Sequence, residues 1–111
     1  MKTLDARVRG YRWQLDERRR EIADLERLAA QLRDQQGKID RDQKATEAAG
    51  SAARHIAAMA ERRARIEQSL AEVDVQLRQA REGLTEVYYG MRRHEIVASA
   101  RAEQNRRRGG G

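Results

Sequence analysis

Residues 66–84 read Ile66-Glu67-Gln68-Ser69-Leu70-Ala71-Glu72-Val73-Asp74-Val75-Gln76-Leu77-Arg78-Gln79-Ala80-Arg81-Glu82-Gly83-Leu84, and they decide the fold. Ile66, Leu70, Val73, Leu77, Ala80 and Leu84 recur at alternating steps of four and three, the seam of a coiled-coil helix. The series runs back through Arg63, Met59 and Ile56 and forward through Val87 and Met91, with His94 and Ala98 in the same register. A second series fills the first half of the chain: Leu4, Val8, Tyr11, Leu15, Arg18, Ile22, Leu25, Ala29, Leu32, Gln36 and Ile39. Neither series slips. A disordered chain has no reason to keep such a register, and a 3.5-residue repeat implies a left-handed supercoil.

Between the two series lies Ala45-Thr46-Glu47-Ala48-Ala49-Gly50-Ser51. Gly50 can take the left-handed conformation that closes a helix, and Ser51 can cap the next one. The reading is helix 1 over 1–46, a turn over 47–51 and helix 2 over 52–105. A short turn makes the helices antiparallel neighbours. Partners whose numbers sum to 95 then meet through eleven layers, among them Leu4 with Met91, Tyr11 with Leu84, Leu15 with Ala80, Ile22 with Val73 and Ile39 with Ile56. Three layers are flawed: Arg18 faces Leu77, Arg63 faces Leu32 and Gln36 faces Met59. Arginine stems can lie on apolar surface with the charge in water, and polar seam residues cost stability while fixing register. The expected fold class is all-α: a long antiparallel two-stranded coiled-coil hairpin. Helix 2 overhangs from about residue 92, and a basic glycine tail, 106–111, is disordered.

Composition agrees. Charged residues make up 38% and hydrophobic residues 39%, with no proline, no phenylalanine and four aromatics, Tyr11, Trp13, Tyr88 and Tyr89. That is too little aromatic bulk for a globular core of this length. The absence of cysteine excludes a disulfide framework and a thiolate zinc site. Residues 1–15 are charged throughout, unlike a signal peptide, and no window approaches 18 apolar residues. The expected location is cytoplasmic. Arginine outnumbers lysine 21 to 3, which reads as codon bias. Of the net charge of +6, residues 92–111 contribute +4.

Nothing in the chain points to catalysis. There is no glycine-rich phosphate loop. His55 and His94 fall at opposite ends of helix 2 and cannot share a metal. Asp16-Glu17 and Asp40/Asp42 read as partners for nearby arginines on helix surfaces. A two-helix rod offers no water-excluding concavity. The expectation is a non-enzyme with no cofactor, metal or small-molecule ligand. All four aromatics fall at the end of the hairpin that carries both termini. Trp13 and Tyr89 project outward and Tyr88 flanks the seam, a pattern over-represented where proteins bind. The candidate protein-binding set is Tyr11, Trp13, Arg18, Arg19, Tyr88, Tyr89, Arg92, Arg93 and Ile96. Two other readings are a generic coiled-coil adaptor or scaffold and a basic nucleic-acid-binding hairpin. The second is disfavoured because the run Arg18-Arg19-Arg20 is flanked by Asp16, Glu17 and Glu21.

The chain over about residues 4–106 resembles the FliJ family of flagellar type III export proteins, in a short form. The resemblance rests on Tyr11-Arg12-Trp13-Gln14-Leu15-Asp16-Glu17-Arg18-Arg19-Arg20-Glu21-Ile22 and an alanine-rich segment, 45–60. It rests also on Leu70-Ala71-Glu72-Val73, Ala80-Arg81-Glu82-Gly83-Leu84 and Tyr88-Tyr89-Gly90-Met91-Arg92-Arg93-His94-Glu95. It implies a stalk similar in shape to that of rotary ATPases, which inserts into the hexameric flagellar export ATPase and contacts the export gate protein FlhA. It also implies handling of export chaperones, and a place at the cytoplasmic face of the inner membrane, reached through partners. By that analogy, residues around Val8 to Arg20 and Tyr88 to Arg101 would enter the ATPase ring.

Overall fold

The computed structural model describes residues 2–50 and 52–109, and the side chains of residues 2–5 are outside that description. Two long helices account for nearly all of it: α1, Lys2–Ala48, and α2, Ala53–Gly109. No strand occurs among the described residues. The architecture is all-helical and consistent with a helical hairpin. No helix among the described residues is long and apolar enough to cross a membrane.

The turn is built as the sequence dictates, but later. Gly50 sits at φ +71°, where a side chain would be strained, and its N–H donates to the Glu47 carbonyl at 3.2 Å. The Ala52 carbonyl accepts from His55 and Ile56 N–H at 3.0 and 3.3 Å, starting α2. The expected cap at Ser51 lies outside the described residues. So do Gly110 and Gly111. Arg106-Arg107-Arg108, read as disordered, are helical, and α2 runs to Gly109. Cations suit the negative end of a helix dipole, and Glu103 pairs with Arg106 at 2.8 Å and Arg107 at 3.6 Å.

The chain divides into two compact units. Residues 23–78 form one, with Ala29, Ile39, Met59, Val73 and Leu77 buried. Here Arg63 Nε stands 3.2 Å from Asp40 Oδ1 and 3.2 Å from Glu67 Oε1, an ion pair without hydrogen-bond alignment. Arg33 reaches Asp74 at 4.0 Å. Residues 2–22 and 79–109 form the other, with Leu15 and Ala80 buried. In it a Cβ on Gly83 would lie 3.2 Å from Arg18 Nε, and one on Gly90 3.1 Å from Tyr11 Cε1. The Tyr11 ring also faces the His94 ring at 5.1 Å.

These contacts correct the pairing. Tyr11 meets Gly90 and His94 where Leu84 was expected, Arg18 meets Gly83 in place of Leu77, and Arg63 meets Asp40 in place of Leu32. In each of these three contacts the partner is displaced by about seven residues, one heptad. The reason is geometric. Moving a turn by about three and a half residues moves all partners by seven, and a heptad pattern reads the same after such a shift. The seam positions themselves hold. From Ile56 to Ala98 on α2, and from Val8 to Ile39 on α1, all are buried or half-buried except Arg18. Coverage continues to Gln43 and Thr46 on α1, and to Ala102 on α2.

Candidate functional site

The unit of residues 2–22 and 79–109 carries every residue of the candidate set. It also carries all of the net charge. It holds fourteen basic and eight acidic side chains, a net of +6, whereas residues 23–78 hold ten of each. The sequence placed most of that excess in the last twenty residues. The fold adds the basic residues of the first twelve to the same unit.

The acidic groups here are largely engaged on their own helices. Arg18 pairs with Glu21 at 3.2 Å, Arg19 with Asp16 at 3.7 Å, Arg20 with Glu17 at 3.2 Å and Arg92 with Glu95 at 2.9 Å. All are exposed three-residue spacings, each contributing little to stability. Arg7, Arg9, Arg12, Arg93, Arg101 and Arg108 have no carboxylate partner among the described residues. Among the described residues the unit therefore presents uncompensated guanidinium groups, whose planar forks suit bidentate hydrogen bonds to carboxylates or phosphates.

The aromatics divide by role. Tyr11 is half-buried, held over Gly90 and against His94, so it is a packing residue. Arg18 likewise lies across the notch at Gly83 and belongs to packing. Trp13 is 66% exposed and Tyr89 60% exposed, with Ile96 at 59%. Trp13 has no ring or hydrogen-bond partner among the described residues. Tyr88 and Tyr89 meet edge to face with centroids 5.9 Å apart, the favourable geometry for paired rings. On α2, Tyr89, Ile96 and Val97 form an exposed apolar strip through which Arg93 passes.

Open clefts occur among the described residues of this unit. One of about 410 Å³ is lined by Arg7, Gly10, Tyr11, Gln14 and His94. Another, of about 300 Å³, is lined by Leu15, Arg19, Leu84, Thr85, Tyr88 and Tyr89. Among the described residues no group of three or more His, Cys, Asp or Glu side chains could hold a metal ion.

Sequence reasoning missed the glycine notches, although a signal was present. Gly83 and Gly90 are one heptad apart, as are Tyr11 and Arg18. A small residue flanking the seam at that spacing makes room for a large side chain from the facing helix. No family model, no curated protein and no solved structure matches the chain.

Proposed function

We propose that this chain is a non-enzymatic coiled-coil component of the flagellar type III export apparatus. It acts as a stalk that binds the hexameric export ATPase and couples it to the export gate protein FlhA at the inner membrane's cytoplasmic face. Export chaperones are further partners. The fold we propose for it is an antiparallel two-stranded hairpin with left-handed supercoil. Its register is one in which Tyr11 lies over Gly90, Arg18 over Gly83 and Arg63 beside Asp40. Each of those contacts would be lost after a one-heptad slip, which the seam alone would tolerate.

One observation carries the functional reading. The net charge of +6 and all four aromatics are gathered in the unit that holds both chain ends, while residues 23–78 are neutral. A rod that served only as a spacer would have no use for that asymmetry. A stalk seated by one end in an acidic ring would. Exposed tryptophan and tyrosine supply anchor area, and the guanidinium excess supplies steering and orientation. The identity of the apparatus rests on the family resemblance given above.

The test is binding of purified export ATPase to the intact chain and to Trp13→Ala. The substitution should leave helicity unchanged, because Trp13 touches no ring, and should weaken ATPase binding by about tenfold, as expected of an aromatic anchor. Unchanged binding would refute the assignment of Trp13. No binding by the intact chain would refute the stalk. The six arginines without a carboxylate partner among the described residues also favour a second reading, a nucleic-acid binder. Its mark is affinity for plain duplex that falls steeply with salt.

A further inference from the structure

In the unit of residues 2–22 and 79–109, α1 and α2 leave an open groove of about 300 Å³ on the side of the seam away from the glycine notches. Its floor is apolar. Leu15 is buried and Leu84 half-buried, so the groove dips to the seam itself. Its walls are Tyr88 and Tyr89 on α2 and Arg19 on α1. Such a trough between two helices is what an amphipathic third helix fills, an apolar side chain entering and the helix lying along the seam.

The charges say which helix. Arg19 stands at the rim, mostly exposed, with its guanidinium 3.7 Å from Asp16, a long contact. Arg12 lies one heptad before it, on the same side of α1, and has no carboxylate partner among the described residues. Two guanidinium groups thus flank the level of Leu15 at heptad spacing. A second copy of this chain seated by the same unit would bring its own +6 to the same place, so like-charge repulsion opposes that self-association. A nucleic acid could satisfy the arginines but has no flexible aliphatic side chain to enter the groove down to its leucine floor.

We propose that this groove seats an acidic amphipathic helix of a partner protein. One aliphatic side chain enters between Leu15, Leu84 and Tyr88, and carboxylates on either side of it engage Arg12 and Arg19. The proposal deepens the reading of this unit as the binding end, because it names the chemistry of one partner and the residues that take it.

The test uses the full chain and two fluorescein-labelled helical peptides. One carries leucines at heptad spacing flanked by glutamates, and its twin has lysine in place of every glutamate. Anisotropy at low salt should show binding of the glutamate peptide and none of the lysine peptide. Tyr88→Ala, and separately Arg12→Glu with Arg19→Glu, should each weaken binding about tenfold with an unchanged circular dichroism spectrum. Val75→Ala, on an exposed face of the other unit, should bind as the parent does. Equal binding of both peptides would overturn the proposal, as would a loss with Val75→Ala equal to that with Tyr88→Ala. So would tighter, steeply salt-dependent binding of a single-stranded oligonucleotide, or dimerisation abolished by Tyr88→Ala. If the glutamate peptide binds through Tyr88 while the export ATPase does not bind, the groove stands and the stalk falls. The reverse result sinks the groove and leaves the stalk.

Discussion

Two glycines on one helix should respond oppositely to the same substitution. Replacing an interior helical glycine by alanine ordinarily stabilises by about 0.5–1 kcal/mol, because the chain loses less backbone freedom on folding. Gly83 and Gly90 both lie inside α2, and both face α1. At Gly83 the new methyl would come within 3.2 Å of Arg18 Nε and 3.3 Å of Cζ. That guanidinium is nearly half exposed and held only by Glu21, so it can swing aside. An exposed pair of that kind is worth about 0–1 kcal/mol, so most of the gain survives. Gly83→Ala should stabilise by about 0.5 kcal/mol.

At Gly90 the methyl would meet Tyr11 Cε1 at 3.1 Å, Cζ at 3.4 Å and the phenolic oxygen at 3.5 Å. A ring cannot bend. It must rotate as a unit, at about 0.5–1.5 kcal/mol for an off-rotamer torsion. Moving it also disturbs its packing on His94, where ring pairs contribute about 0.5–1.5 kcal/mol. Gly90→Ala should therefore destabilise by about 1 kcal/mol, a fall in Tm of about 4 °C. Thermal unfolding followed by circular dichroism measures both. In the register expected from the seams alone, Tyr11 meets Leu84 and Arg18 meets Leu77, and neither glycine touches a side chain. Both substitutions would then stabilise equally, and that result would refute the pairing described here. In a Tyr11→Ala background the same Gly90→Ala change should stabilise as an ordinary helical glycine replacement does, since the clash has gone.

Other consequences follow from burial and charge. Leu77→Ala, at a buried seam position, should cost about 2 kcal/mol, the low end for such truncations because two helices can close on the gap. Val75→Ala, on the exposed face two residues earlier, should change Tm by less than the error of the melt. Arg63→Leu should lower stability by about 1 kcal/mol, because it strips the cation from the buried Oδ1 of Asp40, which has no hydrogen-bond partner, and added apolar area at the seam offsets only part of that. A higher Tm would show that the carboxylates do not need the cation. Truncation after residue 91 removes His94 and six arginines, and it should abolish stimulation of the export ATPase. Normal stimulation by the truncated chain would place the contact elsewhere.

The fold was legible where periodicity speaks. The seam named on each helix is the covered face, and Gly50 takes the left-handed turn conformation. Register was not legible from that signal, because a heptad pattern maps onto itself after a seven-residue slip. The features that distinguish the two registers are side-chain fits: Tyr11 over Gly90, Arg18 over Gly83 and Arg63 beside Asp40. Arg18 and Arg63 looked like seam defects only because the wrong residues were placed opposite them. Of the candidate site, exposure of Trp13, Tyr89 and Ile96 follows from helical position alone. The groove over Leu15 and Leu84 does not, since it needs two helices in a specific register to exist. Gathering of the whole net charge in one unit was half visible. The basic end of α2 stands out in the sequence, whereas its union with Arg7, Arg9 and Arg12 requires the fold.

The most direct measurement is the rate of ATP hydrolysis by the hexameric flagellar export ATPase, with and without this protein, at low and moderate ionic strength. The account predicts stimulation at low salt that fades as the Debye length shortens from about 30 Å at 0.01 M to about 8 Å at 0.15 M, because the +6 unit makes the contact. An unchanged rate at both, with no complex recovered, would contradict it.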